Sequence, residues 1–409
     1  MKGKNKIVSD ASIYVFGSIF VKLVPFFMLP YLTRALGVEG YATLAYYQTI
    51  IVFITLFIGL SQDAAFSRYY FFYGKRSSNI VFNVGLLFAL STSLLSLIIL
   101  KILNLTNLYL LVFYAFFQVV FMLQVKFWQV KKSPFKYMLM QIGSSLLAVF
   151  LTIFLFELVL ESPENRILSI LISFLIVSLI SFLFFYRKNF KKLHFSMRNY
   201  RYALLYILSF GGGLTIHAFS LALRGQIDRL FINSFYTDYE LGIYSVSFQI
   251  ASILSLIIIS INKAISPYFY EALKENKLTR EKLLSFLKIG ILVSPTPFLI
   301  NLVIPEDLYF LLLGNEFIGV KDITSFFLLG IGFQLPYFIL GNYFHYHGLT
   351  NEIVKMTIFS SICYLGVMYF VLPIGINWMP LSLLISNIIL TLLIFMRFMS
   401  ISKGLSAKK

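Results

Sequence analysis

The chain has 409 residues, of which 59 % are hydrophobic and 12 % charged, with a formal net charge of +17. So little charge excludes a soluble globular core of this length, whose surface needs about a quarter of its residues charged. The single cysteine, Cys363, excludes an intramolecular disulfide framework. The apolar runs recur at lengths that cross a bilayer, and none alternates with the period of two that a barrel strand needs. The sequence therefore predicts an all-α integral membrane protein.

Twelve spans are expected, at about 9–31, 41–66, 80–103, 108–128, 138–159, 167–186, 203–231, 240–262, 286–305, 323–343, 354–373 and 378–398. The first run continues into Pro25 and Pro30 with no small-residue cleavage site, so it reads as a span rather than a cleaved signal. Basic residues in the connections set orientation. With a cytoplasmic N-terminus, 27 of the 34 Lys and Arg residues fall on the cytoplasmic side. Only Arg34, Lys101, Arg166, Arg224, Arg229 and Lys321 fall opposite, and Lys22 lies within the first span. Both termini are therefore expected in the cytoplasm, and an even number of spans agrees. The basic excess sets topology and meets anionic membrane lipids. A nucleic-acid partner is not expected, because these charges are spread over short loops.

The longest interruption of apolar sequence, Arg187 to Arg201, follows the sixth span. It divides the chain into an N-terminal six-helix lobe (1–190), a basic cytoplasmic linker (191–202) and a C-terminal six-helix lobe (203–409). A faint repeat agrees: Tyr41-Ala-Thr-Leu-Ala-Tyr-Tyr-Gln48 falls on Gly242-Ile-Tyr-Ser-Val-Ser-Phe-Gln249 at an offset of 201 residues. Six spans per lobe make the repeat parallel, with a pseudo-two-fold axis along the membrane normal and a central cavity.

In the seventh span Gly213, His217, Ser220, Arg224 and Asp228 recur at steps of three and four and share one helix face. Such a face lies in a bilayer only against protein or trapped water, so it reads as the wall of a polar cavity. The span is about 30 residues, roughly 45 Å against a hydrocarbon core of roughly 30 Å. It must tilt, bend at Gly211-Gly212-Gly213, or project. Arg224, Asp228 and Arg229 are thus either rim residues or residues of a water-filled vestibule. Asp228 also stands four residues after Arg224, the spacing of a helical charge pair. Lys22 shares a face with Ser18 and Pro25 and sits past the middle of its run. It either faces the interior or snorkels to the outer interface.

The stretch Leu29-Pro-Tyr-Leu-Thr-Arg34-Ala-Leu-Gly37-Val-Glu39-Gly-Tyr41 resembles the opening signature of the polysaccharide flippases, the O-antigen flippases of the multidrug/oligosaccharidyl-lipid/polysaccharide exporter superfamily. Further stretches fit in order: Gly59 to Arg68, Ile227-Asp228-Arg229, Leu241-Gly-Ile-Tyr244, Ser266-Pro267 and Leu311 to Phe317. The match covers about the whole chain. It departs early in the seventh span, where relatives often carry a small residue followed by Leu-Pro and this chain has three glycines.

The resemblance implies a non-enzymatic flippase that carries an undecaprenyl-pyrophosphate-linked oligosaccharide from the inner to the outer leaflet of the bacterial cytoplasmic membrane. It also implies a polysaccharide polymerase and a chain-length regulator as partners. A pyrophosphate seeks Arg or Lys, and sugars need polar groups and aromatic faces. The candidates are Lys22, Arg34, Arg68, Arg224 and Arg229 for the pyrophosphate, and Gln48, Gln249, His217, Tyr46 and Tyr47 for sugar. Interhelical hydrogen bonding is the alternative for the glutamines, interfacial packing for the tyrosines and topology for Arg68. Moving an anion out of an inside-negative cell is favourable by roughly 2.3 kcal/mol per charge per 100 mV. The reset of the emptied site is then the step that needs a proton or sodium gradient, with Asp10, Asp63 and Asp228 as candidate carriers. No cofactor or metal is expected, since His345 and His347 lack carboxylate or cysteine neighbours and no phosphate-cradling glycine loop occurs. Two rival readings remain, a cation-coupled exporter of small molecules and a membrane polymerase or glycosyltransferase.

Overall fold

The computed structural model describes residues 2–74, 78–186 and 197–406. The first half of the predicted linker, 191–196, lies outside the described residues. All twelve predicted spans fall on helix, and no strand occurs among the described residues. Eleven helical runs are long and apolar enough to cross a membrane. The first of them, Phe16–Phe72, has 57 residues and holds two of the predicted spans. At 1.5 Å per residue it would be more than twice as long as a bilayer is thick. The helix α1 (Lys2–Gly59) breaks at Gly37, whose φ of 65° and ψ of −174° are non-helical. That left-handed φ is open to glycine and strained for other residues.

The chain divides into two compact units, one of 1–36 and 43–219, the other of 37–42 and 220–409. The first contains most of α1, then α2 (Gln62–Phe72), α3 (Ser78–Ile102), α4 (Tyr109–Val130), α5 (Pro134–Leu158), α6 (Pro163–Ile180) and α7 (Met197–Tyr206). Its core is aromatic: Phe66, Phe82, Phe121, Phe127 and Trp128 are almost fully buried and pack with Phe174. The helix α8 (Gly212–Phe235) follows α7 through a π-helical turn, Ile207–Gly211. The distortion thus falls at the first of the three glycines. Gly211 packs against the carbonyl of Leu60, so closely that any side chain there would collide with it. Leu60 and Ser61 both have positive φ, and Ser61 shares a 3.0 Å hydrogen bond with Thr215. The break after α1 and the turn before α8 therefore stabilise one another.

The second unit contains the rest of α8, then α9 (Asp238–Lys274), α10 (Arg280–Val293), α11 (Thr296–Val303), α12 (Glu306–Leu313), α13 (Val320–Gly332), α14 (Gln334–Tyr346), α15 (Thr350–Val371) and α16 (Leu381–Ser406). A capping box between Thr237 and Glu240 starts α9. Pro267 does not end this helix, which runs on to Lys274, past the span expected at 240–262. The connection after it passes through a turn at Asn276 to α10, which begins at Arg280.

Gly242, near the start of α9, lies against the Val38 backbone, where a Cβ would overlap the carbonyl oxygen. Alanine in a helix is ordinarily favoured over glycine by up to about 1 kcal/mol. Overpacking against backbone costs about 1–3 kcal/mol and outweighs that gain. Gly242→Ala is therefore expected to lower the unfolding midpoint in detergent. Gly366→Ala, where a Cβ meets nothing within 4 Å, is expected to hold or raise it. Equal effects at the two positions would contradict the close approach.

Candidate functional site

The predicted polar face of α8 turns toward protein in its second half. Ser220 and Asp228 are buried, Arg224 is partly buried, His217 is half-buried and Gly213 is exposed. Ser361 of α15 donates to the Ser220 carbonyl at 2.8 Å. The neighbouring Ser360 accepts a 3.3 Å hydrogen bond from Nη1 of Arg224. Serines on α15 thus accommodate this face where an apolar helix would strand it.

Arg224 and Asp228 do not pair as their spacing predicts. Asp228 accepts a 2.5 Å hydrogen bond from the Tyr244 hydroxyl of α9 and lies 3.6 Å from Nη1 of Arg229. The Arg229 guanidinium is engaged in turn. It donates to the Gly225 carbonyl at 2.7 Å and to Oε1 of Gln226 at 3.1 Å, and it stacks 4.5 Å from the centre of the Phe248 ring. Asp228 is 1 % exposed and Arg229 5 %. Both side chains are buried within the second unit. Every charge in this cluster has a partner.

Arg224 is in the opposite condition. Among the described residues no carboxylate pairs with it, and its Nε is shielded from solvent with no hydrogen-bond acceptor. It lines a cavity of about 370 Å³ inside the second unit, with Phe248, Ser252, Ser255, Gln334, Tyr337 and Asn387 among the other walls. A guanidinium, two amides, hydroxyls and aromatic rings are groups that bind an anion and sugar hydroxyls. In the sequence these wall residues lie on α9, α14 and α16. Their one visible signal is that each is a polar or aromatic residue within an apolar helix. Gln249, the predicted sugar contact on α9, is half-buried and does not line this cavity.

The first unit holds the other candidates in separate places. Arg68 is exposed on α2, donates to the Tyr206 hydroxyl at 3.1 Å and lies between the rings of Phe72 and Phe210, 4.9 Å and 4.7 Å from their centres. Such an aromatic cage holds the cation without neutralising it. Arg34 lines a cavity of about 490 Å³ with Tyr31 and Glu161. Lys22 and Gln48 are exposed, and Tyr46 is half-buried. The Tyr47 hydroxyl donates to Glu164 at 3.1 Å. Asp63 is half-buried in the first turn of α2, where the helix dipole favours a carboxylate. The side chain of Asp10 lies outside the described residues. Arg166, which parity assigns to an external connection, is 6 % exposed and donates to Thr152 at 2.5 Å.

The second unit thus holds a cation without a carboxylate partner among the described residues, in a cavity of mixed polar and apolar walls. Over 95 % of this chain and 99 % of the other the fold matches a MATE-family multidrug transporter of the MOP superfamily in an inward-facing conformation, with a TM-score of 0.71 at 17 % identity. Residues 7–273 match the family described as polysaccharide biosynthesis protein, and the chain belongs to that family. It is 40 % identical over 88 % of its length, and 89 % of the relative's, to an uncharacterized membrane protein of Haemophilus influenzae. It is 36 % identical, over 98 % of its length and all of the relative's, to the Lsg locus putative protein 1 of the same organism. The protein is a multi-pass membrane protein with a polysaccharide-family sequence on a transporter fold.

Proposed function

We propose that the protein is a flippase. It moves an undecaprenyl-pyrophosphate-linked oligosaccharide, the repeat unit of an O-antigen or capsule, from the cytoplasmic to the outer leaflet by alternating access. It resides in the bacterial cytoplasmic membrane with both termini inside. The observation that carries this reading is Arg224, which has no carboxylate partner among the described residues and lines a cavity where amide, hydroxyl and aromatic groups stand among aliphatic ones. A cation kept in that state is costly to the fold unless an anion visits it. Asp228 is sealed by Tyr244 and Arg229, so the cavity presents positive rather than negative charge, which disfavours a cation exporter. Membrane potential drives the loaded anion outward, and a proton or sodium ion supports the return.

The test is transfer in vesicles. Protein reconstituted with a labelled undecaprenyl-pyrophosphate-linked oligosaccharide should expose the inner-leaflet sugars to an external oxidant faster than protein-free vesicles do. Equal rates with and without protein, across both signs of membrane potential, would contradict the proposal.

A further inference from the structure

Another cavity lies in the first unit, and none of the candidate site residues above lines it. It is a groove of about 1350 Å³ between α3 and the start of α7, walled by Leu87, Leu94, Leu205 and Leu208 among others, with Arg198 and Arg201 among its lining residues. The two arginines sit in the first turns of α7, whereas Leu208 lies roughly 15 Å further along the chain's helical path. On α3 the lining runs from Val84 to Leu94, another roughly 15 Å. Both helices begin in connections that the basic-residue count makes cytoplasmic. The groove therefore has a charged mouth at the cytoplasmic interface and apolar walls that descend into the hydrocarbon.

The mouth is unneutralised. Among the described residues no carboxylate pairs with Arg198 or Arg201, and both are exposed. The Arg198 guanidinium rests 5.7 Å from the centre of the Tyr202 ring, which holds it beside the groove. Leu87, Leu94, Leu205 and Leu208 are 42–53 % exposed along the walls. Water is a poor occupant, because the walls offer it few partners. An acyl chain suits the walls, and a phosphate suits two guanidinium forks at one end. We infer that this groove is a binding site for an anionic diacyl phospholipid of the cytoplasmic leaflet, with its phosphate on Arg198 and Arg201 and its chains between α3 and α7.

The test uses full-length, delipidated protein in detergent, with phosphatidylglycerol, phosphatidylcholine or sodium phosphate added in parallel. Bound lipid is counted by native mass spectrometry, and unfolding midpoints are read alongside. Wild type should retain phosphatidylglycerol in preference to phosphatidylcholine and gain thermal stability from it. Arg198→Gln/Arg201→Gln should weaken phosphatidylglycerol retention by at least about tenfold, leaving phosphatidylcholine unchanged. Leu94→Trp, which fills the apolar end and keeps both arginines, should reduce retention of both lipids. Equal retention of the two lipids by wild type, or an unchanged preference in the double variant, would overturn the assignment. Sodium phosphate raising the midpoint as much as phosphatidylglycerol would also overturn it, since the ligand would then be the bare anion.

Discussion

Replacing Arg224 with methionine is expected to stop export while leaving the protein at least as stable as wild type. The two effects follow from the same contacts. Ser360, which accepts a hydrogen bond from the guanidinium, donates its own proton to the Ser386 carbonyl at 2.7 Å. Removing the guanidinium therefore strands no partner. It also removes an orphaned Nε, a group whose burial costs about 1–3 kcal/mol. Methionine fills a similar stem volume without a charge. Against this, an anionic substrate loses a charge-assisted contact of about 1.5–3 kcal/mol, so transport should fall by about ten- to a hundred-fold. Arg224→Lys keeps the charge and loses the planar fork, and should fall between. Membrane abundance, unfolding midpoint and export measured together separate the outcomes. Full export by Arg224→Met would remove the cation from the mechanism, and a lost midpoint would make its role structural.

The opposite result is expected four residues on. Asp228→Ala leaves the Arg229 guanidinium buried without its carboxylate and the Tyr244 hydroxyl without its acceptor. Breaking a buried pair in this way costs about 3–5 kcal/mol. Tyr244→Phe removes one hydrogen bond to a charged group and should cost about 1.5–3 kcal/mol. The two losses share a partner, so the double variant should lose less than their sum. Unfolding midpoints of the two single variants and the double variant check this directly. Additive losses would mean that the hydroxyl and the carboxylate do not act as one cluster. If Asp228→Asn instead kept wild-type stability and lost gradient-driven export alone, the carboxylate would be an ion carrier rather than a structural anchor.

The contrast between these two residues marks the limit of what the chain discloses by itself. Helix and span were legible because a bilayer demands runs of apolar residues, and parity of basic loops follows from the same demand. The α8 face was legible because its four polar residues and Gly213 keep the helical period through an apolar run. Their separate fates were not. Spacing along one helix favours Arg224 with Asp228, yet the carboxylate is taken by Tyr244, sixteen residues away on the next helix. A phenol from α9 and the adjacent Arg229 leave nothing for Arg224, and only the packing of α8 on α9 decides this. The cavity walls were hidden for the same reason, since Gln334, Tyr337 and Asn387 come from α14 and α16. Arg166 shows what a loop count leaves open. Parity can place a residue beyond the membrane, but it cannot see that α5 and α6 fold the side chain inward onto Thr152. The sequence offers the triple glycine as a bend only alongside tilt and projection, and the structure supplies what it lacks, the Leu60 carbonyl that forbids any other residue at Gly211.

The most direct test of the central claim is the leaflet location of the lipid-linked oligosaccharide in cells with and without this protein, scored by access of an external probe to the sugar. The flippase account predicts that cells lacking the protein accumulate the unit on the cytoplasmic leaflet, and that restoring the wild-type gene, but not the Arg224→Met variant, brings it to the outer face. Normal exposure of unpolymerised units on the outer face of deficient cells would contradict the account.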